Sequence, residues 1–189
     1  MIDRPKTAPD ALRTDRLSAV QYALLTEIDR IEDAERHATD TAAANHTQPP
    51  QRDEPFHWER VHLASCARIA KDMAVERGCD PELAAIAAAI HDIGRIVTGK
   101  QAGHAPAGEQ PARWLLEKLK LFTEEEIRTI SLAVAHHSDK SVVGPLIEEI
   151  VKDADVVDCY EYGLELPRPE QKQRYERYLR QKFVVSLTE

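Results

Sequence analysis

The chain has only three cysteines, Cys66, Cys79 and Cys159, far apart and in no C-x-x-C pair. That spacing excludes a disulfide framework and a thiolate zinc site. Cys66 falls in the apolar pattern of a helix, where a buried thiol serves as a small hydrophobe. No apolar run approaches the roughly 20 residues that span a bilayer, and the opening Met1-Ile2-Asp3-Arg4-Pro5-Lys6 has no apolar signal core. The expectation is a cytoplasmic protein with no membrane contact. Positive charge is also scarce, with 25 Lys and Arg against 33 Asp and Glu, a formal net charge of −8. A surface of that sign argues against broad nucleic-acid binding. It leaves room for a small phosphorylated substrate, because metal ions supply positive charge locally.

Alternating strand patterns and internal repeats are missing as well, and helical periodicity fills the space instead. From Pro9 to His37 one apolar stripe recurs through Leu17, Val20, Leu24, Ile28 and Ile31, flanked by Asp, Glu and Arg. Such a helix packs on the main body or on a second copy of the chain. Between Thr39 and Glu54 the periodicity stops and Thr, Ala, Asn, Gln and Pro take over, as in a linker. The reading is therefore all-α: residues 1–38 an N-terminal charged helix, 39–54 a linker, 55–166 the main domain, 167–189 a C-terminal amphipathic helix.

Within the main domain, Phe56–Arg77 closes at Gly78, a natural C-terminal cap. Asp80-Pro81-Glu82 opens the next helix, and Leu83–Ile90 is almost entirely Ala, Leu and Ile, apolar on every side and hence the buried centre. Gly94–Gly103 reads as a turn-rich connection before a helix over Ala105–Leu119. Thr123-Glu124-Glu125-Glu126 is a capping box opening a helix to His136, and Gly144-Pro145 starts another that runs to Cys159. The last helix, Pro169–Leu187, carries Tyr175, Tyr178, Leu179, Phe183 and Val184.

Six of the eight histidines fall between Phe56 and Lys140. His91-Asp92 ends the most apolar helix, and the turn at Gly94 aims both side chains into one interior spot. An imidazole and a carboxylate inside a core are costly unless something charged compensates them, and a divalent cation does so. The dipeptide taken alone equally fits a helix cap in which the two side chains bond each other. His57, at the start of the preceding helix, meets His91-Asp92 if the two helices are antiparallel. Asp153 and Asp155 lie two apart, so only one can face the cluster; Asp155 shares a face with Ile147, Val151 and Ala154.

The order His57-Trp58-Glu59-Arg60-Val61, His91-Asp92-Ile93-Gly94 and Ala154-Asp155 resembles the HD superfamily of metal-dependent phosphohydrolases over about His57 to Gly163. The resemblance implies a helical HD-domain bundle with metal ligation by His57, His91, Asp92 and Asp155, Asp92 bridging two ions with its two oxygens. Binuclear members such as the HD-GYP phosphodiesterases and the diadenosine tetraphosphate hydrolases imply a second-metal role for His104 and His136, with His137 open. A loop histidine in water, or a helix terminus favoured by the macrodipole, is the alternative for these three. The G-Y-P element is absent, and only 12 positions separate Asp92 from His104, so neither specific substrate transfers.

His62, five positions past His57, is read as lying on another helix face. Asp158 and Glu161 are read as solvated groups or supports for the ligands. Arg60, Arg95 and Lys140 are candidate phosphate contacts or, equally, surface ion pairs. The implied chemistry is hydrolysis of a nucleotide or other small phosphoester by metal-activated water, with Asp92 or Asp155 helping to remove its proton. No G-x-S-x-G or catalytic-cysteine pattern competes with it. Mixed imidazole and carboxylate donors suit one or two ions of Mn, Fe, Co, Ni or Zn. The alternatives are a di-iron oxygenase of the HD fold and a nucleotide-binding module without turnover.

Overall fold

The computed structural model describes residues 15–186. Of the residues read above, Met1–Lys6, Pro9–Thr14 and Leu187 lie outside the described range, as do the side chains of Phe183 and Val184. The described elements are helices: α1 (Arg16–Ala44), α2 (Phe56–Glu76), α3 (Pro81–Ile90), α4 (Ile93–Thr98), α5 (His104–Leu119), α6 (Glu124–His136), α7 (Leu146–Glu161) and α8 (Pro169–Ser186). Among the described residues no helix is long and apolar enough to cross a membrane.

The axis of the bundle is α3. Asp80 caps it, its Oδ1 accepting from the backbone N–H groups of Glu82 and Leu83 at 2.9 and 3.1 Å, and Pro81 sits at the first helical position, where its missing N–H costs nothing. Every residue from Ala84 to Ile90 is buried. Alanine at 84, 85, 87, 88 and 89 keeps the helix narrow, so α1, α2, α6 and α7 all pack against it. Each large apolar side chain placed in this core contributes about 1.5–3 kcal/mol.

The N-terminal stripe packs on the main body: Val20, Leu24, Ile28 and Ile31 are buried in the same core as α3. The helix does not stop near residue 38 but continues to Ala44. No glycine or proline interrupts it before Pro49. Thr39 and Thr41 turn their hydroxyls back to the carbonyls of Glu35 and His37, both at 2.9 Å, and Ala42 is buried. The remaining connection is pinned rather than loose. Arg52 donates to Glu35 Oε1 at 2.7 Å and to the carbonyls of Arg95 and Ile96, both at 3.0 Å, while its guanidinium lies over the Phe56 ring.

The turn-rich stretch after Asp92 contains the short helix α4, closed by Gly99 at φ +70°. Here α4 crosses the start of α5 at backbone contact. A Cβ on Gly94 would stand 2.6 Å from the Gly108 nitrogen and would also collide with the His104 carbonyl. Only glycine permits the crossing, and it is this crossing that brings His104 beside Asp92. The capping box at Thr123 forms as read: its hydroxyl accepts from the Glu126 N–H, and Glu126 returns a carboxylate oxygen to the Thr123 N–H at 2.8 Å.

Candidate metal centre

At the C-terminal end of α3 six side chains converge: His62 from α2, His91 and Asp92 from the α3–α4 junction, His104 from the first turn of α5, His137 just past α6, and Asp155 from α7. Around Asp92 Oδ2 stand His91 Nε2 at 3.1 Å and His62 Nε2 at 3.4 Å; Asp155 Oδ1 lies 3.3 Å from His62 Nε2 and 3.8 Å from His91 Nε2. Around the other oxygen, Asp92 Oδ1, stand His104 Nε2 at 3.0 Å and His137 Nε2 at 3.4 Å. Asp92 thus joins two clusters, each within the reach of one ion's donor sphere.

The backbone sets the direction of each imidazole. His91 Nδ1 donates to the Ala88 carbonyl at 2.7 Å, His104 Nδ1 to Gln101 O at 2.6 Å, and His137 Nδ1 to Val134 O at 2.7 Å. A carbonyl only accepts, so Nδ1 carries the hydrogen in all three and Nε2 offers its lone pair inward. His62 does the same through the buried Asp158 carboxylate, 2.6 Å from Nδ1, and the Trp58 ring stacks on it with centroids 4.9 Å apart.

Several sequence expectations need correction. His57 is exposed, and His62 occupies the place expected of it. The buried stripe of α2 runs Glu59, His62, Leu63, Cys66, Ala67, Ala70, Met73 and Ala74, whereas Val61, Ala64 and Val75 face solvent. The first turn of α2 thus leaves His57 outside, and the second turn carries His62 over the site. His136 also points outward, half exposed and 3.1 Å from Glu148 Oε2; one residue further round the helix, His137 turns inward. Asp155 is the aspartate at the centre, and Asp153 faces the other way, toward Arg174 and Arg77.

The three expected phosphate contacts are all consumed by carboxylates. Arg60 bonds Asp29 and Glu32 of α1, both at 2.6 Å, on the outside of the bundle. Arg95 is buried and holds Glu59 at 2.9 and 3.0 Å and Asp92 Oδ2 at 2.5 Å. Lys140, also buried, holds Asp155 Oδ2 at 2.5 Å. Arg95 and Lys140 therefore orient the two central aspartates instead of waiting for a substrate.

The electrostatics ask for a cation. Asp92, Asp155, Asp158 and Glu59 face Arg95 and Lys140, so with neutral imidazoles two negative charges stay uncompensated. The protons respond accordingly. Burial alone would depress His62, yet the carboxylates of Asp155, Asp158 and Asp92 hold it well above its ordinary value, and His91 is raised to about 9 against the same burial by Asp92 and Asp155. Burial pushes His137 down to about 4, against the pull of Asp92. Despite burial, His91 and Arg95 keep Asp92 well below the carboxylate range, and Lys140, His62 and His91 do so for Asp155. Among the described residues, the buried side-chain atoms without a hydrogen-bond partner are Asp92 Oδ1 and Asp158 Oδ1, both here. Facing nitrogen pairs, His62 and His91 Nε2 at 3.2 Å and His104 and His137 Nε2 at 2.9 Å, complete the picture. An orphaned carboxylate oxygen, paired nitrogen donors and a charge deficit together fit one or two divalent ions. Cys159 borders the centre, 3.5 Å from Asp155 Oδ1, but burial and the adjacent carboxylates push its thiol up, away from the thiolate that binds metal.

The HD-domain family model matches residues 61–160, more than half of the chain. The chain belongs to the HD-domain superfamily. The match begins after His57 and includes His62. Over 104 residues, 54% of this chain, the sequence is 36% identical to Ribonuclease Y of Cutibacterium acnes, of which it spans only 18%. A solved structure of a predicted HD superfamily hydrolase from an uncultured Thermotogales bacterium is 26% identical, covers 67% of this chain and 80% of its own, and superposes with a TM-score of 0.46. The matched stretch leaves α1, the pinned connection and α8 outside it.

Proposed function

We propose that this HD domain hydrolyses a small phosphoester of nucleotide type, with His62, His91, Asp92 and Asp155 holding one divalent metal ion and Asp92, His104 and His137 a second. The observation that carries this reading is the charge deficit around Asp92, whose Oδ1 is buried without a donor while four imidazole nitrogens face inward. Bound there, a divalent ion of the Mn, Fe, Co, Ni or Zn kind lowers the pKa of water and neutralises charge on a phosphoryl group. The protein's own part is orientation. Arg95 and Lys140 fix the two aspartates, Asp158 and three backbone carbonyls fix the imidazoles, and Asp155 stands at the edge of the centre, where it can take a proton from the attacking water.

The test is purified full-length chain with Mn²⁺ or Co²⁺, without oxygen, against phosphomonoesters and nucleotides. Release of phosphate or nucleoside is expected, and His91→Ala should remove both the release and the bound metal while the helical signal stays. Full activity in that variant sinks the reading. The likeness to a protein named Ribonuclease Y favours a second reading, cleavage of an RNA phosphodiester. The net charge of −8 weighs against a long polyanion, and a single-stranded RNA in the same panel separates the two.

A further inference from the structure

Resting on the reading above, we infer that Arg168 determines substrate specificity by binding a second phosphate, next to the one attacked at the metal centre. A cavity of about 340 Å³ lies against the second histidine pair. One wall is the loop into α5, including Gln101 and Gly103; the opposite wall is Pro167, Arg168 and Gln171; His104 and Ser138 line it between them. Ser138 Oγ is 3.3 Å from both His104 Nε2 and His137 Nε2, so the cavity borders the centre through Ser138 and His104.

Of the residues lining the cavity, Arg168 is the one with a permanent positive charge. Arg16, Arg52, Arg60, Arg77, Arg95, Arg174 and Lys140 each hold a carboxylate at 3.0 Å or less. Arg168 does not. Its Nη1 donates to the Ser138 carbonyl at 3.1 Å, and among the described residues the nearest carboxylate oxygen is that of Glu170, 3.9 Å from Nε. A guanidinium anchored by one neutral bond, half exposed and lining a cavity that borders the candidate metal centre keeps donors for a phosphate. Its position is built, because Gln171 accepts from the Arg168 N–H at 3.1 Å and buried Arg174, one α8 turn further on, ties the segment to the Lys140 carbonyl at 2.9 Å. Arg168 lies beyond the family match at 61–160, so the specificity it confers belongs to this chain's C-terminal addition. The substrate class that fits is a phosphoanhydride or a phosphoester with two adjacent phosphates, such as a nucleoside diphosphate.

The experiment is calorimetric binding of AMP and ADP to the full chain loaded with Mn²⁺, as wild type, Arg168→Gln and Arg168→Lys, with bound metal measured in each. Loss of a charge-assisted contact is expected to weaken ADP about tenfold or more in Arg168→Gln. AMP should change less than twofold, metal content should be unchanged, and Arg168→Lys should recover part of the loss. Equal weakening of both nucleotides, or none of either, overturns the inference. A His91→Ala protein that keeps its metal overturns the reading of the centre instead, so the two failures are told apart.

Discussion

Asp153 and Asp155 stand two residues apart on α7 and enter two different buried charge clusters. Around Asp153 every charge is closed. Arg174 bonds it at 2.7 Å and Glu149 at 3.0 Å; Arg77 takes its other oxygen at 2.9 Å; Lys152 reaches Glu149 Oε1 at 3.1 Å and the Val142 carbonyl at 2.8 Å. Around Asp155 the accounts stay open, with an unpartnered Asp92 oxygen and imidazole nitrogens facing one another in pairs. Both clusters are ionic and buried, so burial and charge alone do not mark a site. What separates them is completeness: the closed cluster staples α8 to α7, and the incomplete one has room for a ligand.

The sharpest way to break this comparison lies at α2. His62→Ala should cut metal-dependent turnover by about a hundredfold or more and lower bound metal, because it removes a donor and leaves Asp158 unpaired; His57→Ala should leave both within twofold. Equal behaviour of the two variants, by elemental analysis and turnover, would return the helix to its sequence-based register. In the closed cluster the readout should be stability instead. Arg174→Met leaves Asp153 and Glu149 short of a counter-charge and should cost about 3–5 kcal/mol in denaturant unfolding, while the folded fraction binds metal as before. Asp158→Asn tests the support of His62 and is expected to weaken metal affinity about tenfold to a hundredfold in a chelator competition.

The smallest effect concerns acid. Glu149 is held below its ordinary value by Arg174, the Gly144 N–H and Lys152 against the opposing effect of burial, and Glu126 is held low by its capping bond to Thr123 and by Arg16. Depressed carboxylates contribute stability that is fully present above their unfolded value near 4.5 and is lost as pH falls through the lower folded value. Below about pH 5 melting temperatures should therefore decline as pH falls. A melting temperature that rises as pH falls below about 5 would contradict the pairing described for both residues.

The elements legible in the sequence are those with strong local signals. Asp80-Pro81 and the alanine-rich run define α3, the Thr123 box defines the start of α6, and His91-Asp92 follows from the end of an all-apolar helix. Choosing Asp155 over Asp153 worked because Ile147, Val151 and Ala154 share a periodicity with it. His62 was hidden because the helix start and the order His57-x-x-Arg60-Val61 drew the reading to His57, past the quieter spacing of His62, Cys66, Ala70 and Met73. Its inward face was recoverable from that spacing. The roles of Arg95 and Lys140 had no local signature at all. Each depends on which carboxylate a distant helix brings near, and pairings across 36 residues, as between Glu59 and Arg95, are a tertiary fact.

The strap around Arg52 bears on how this protein can be cut. Arg52 grips the carbonyls of Arg95 and Ile96, and Arg95 in turn grips Asp92. A fragment trimmed to the family boundary at residue 61 would lose that grip together with the α1 side chains that cover α3. The stretch the family model matches is therefore smaller than the unit packed around α3, and an inactive short fragment would say nothing about the chemistry of the whole.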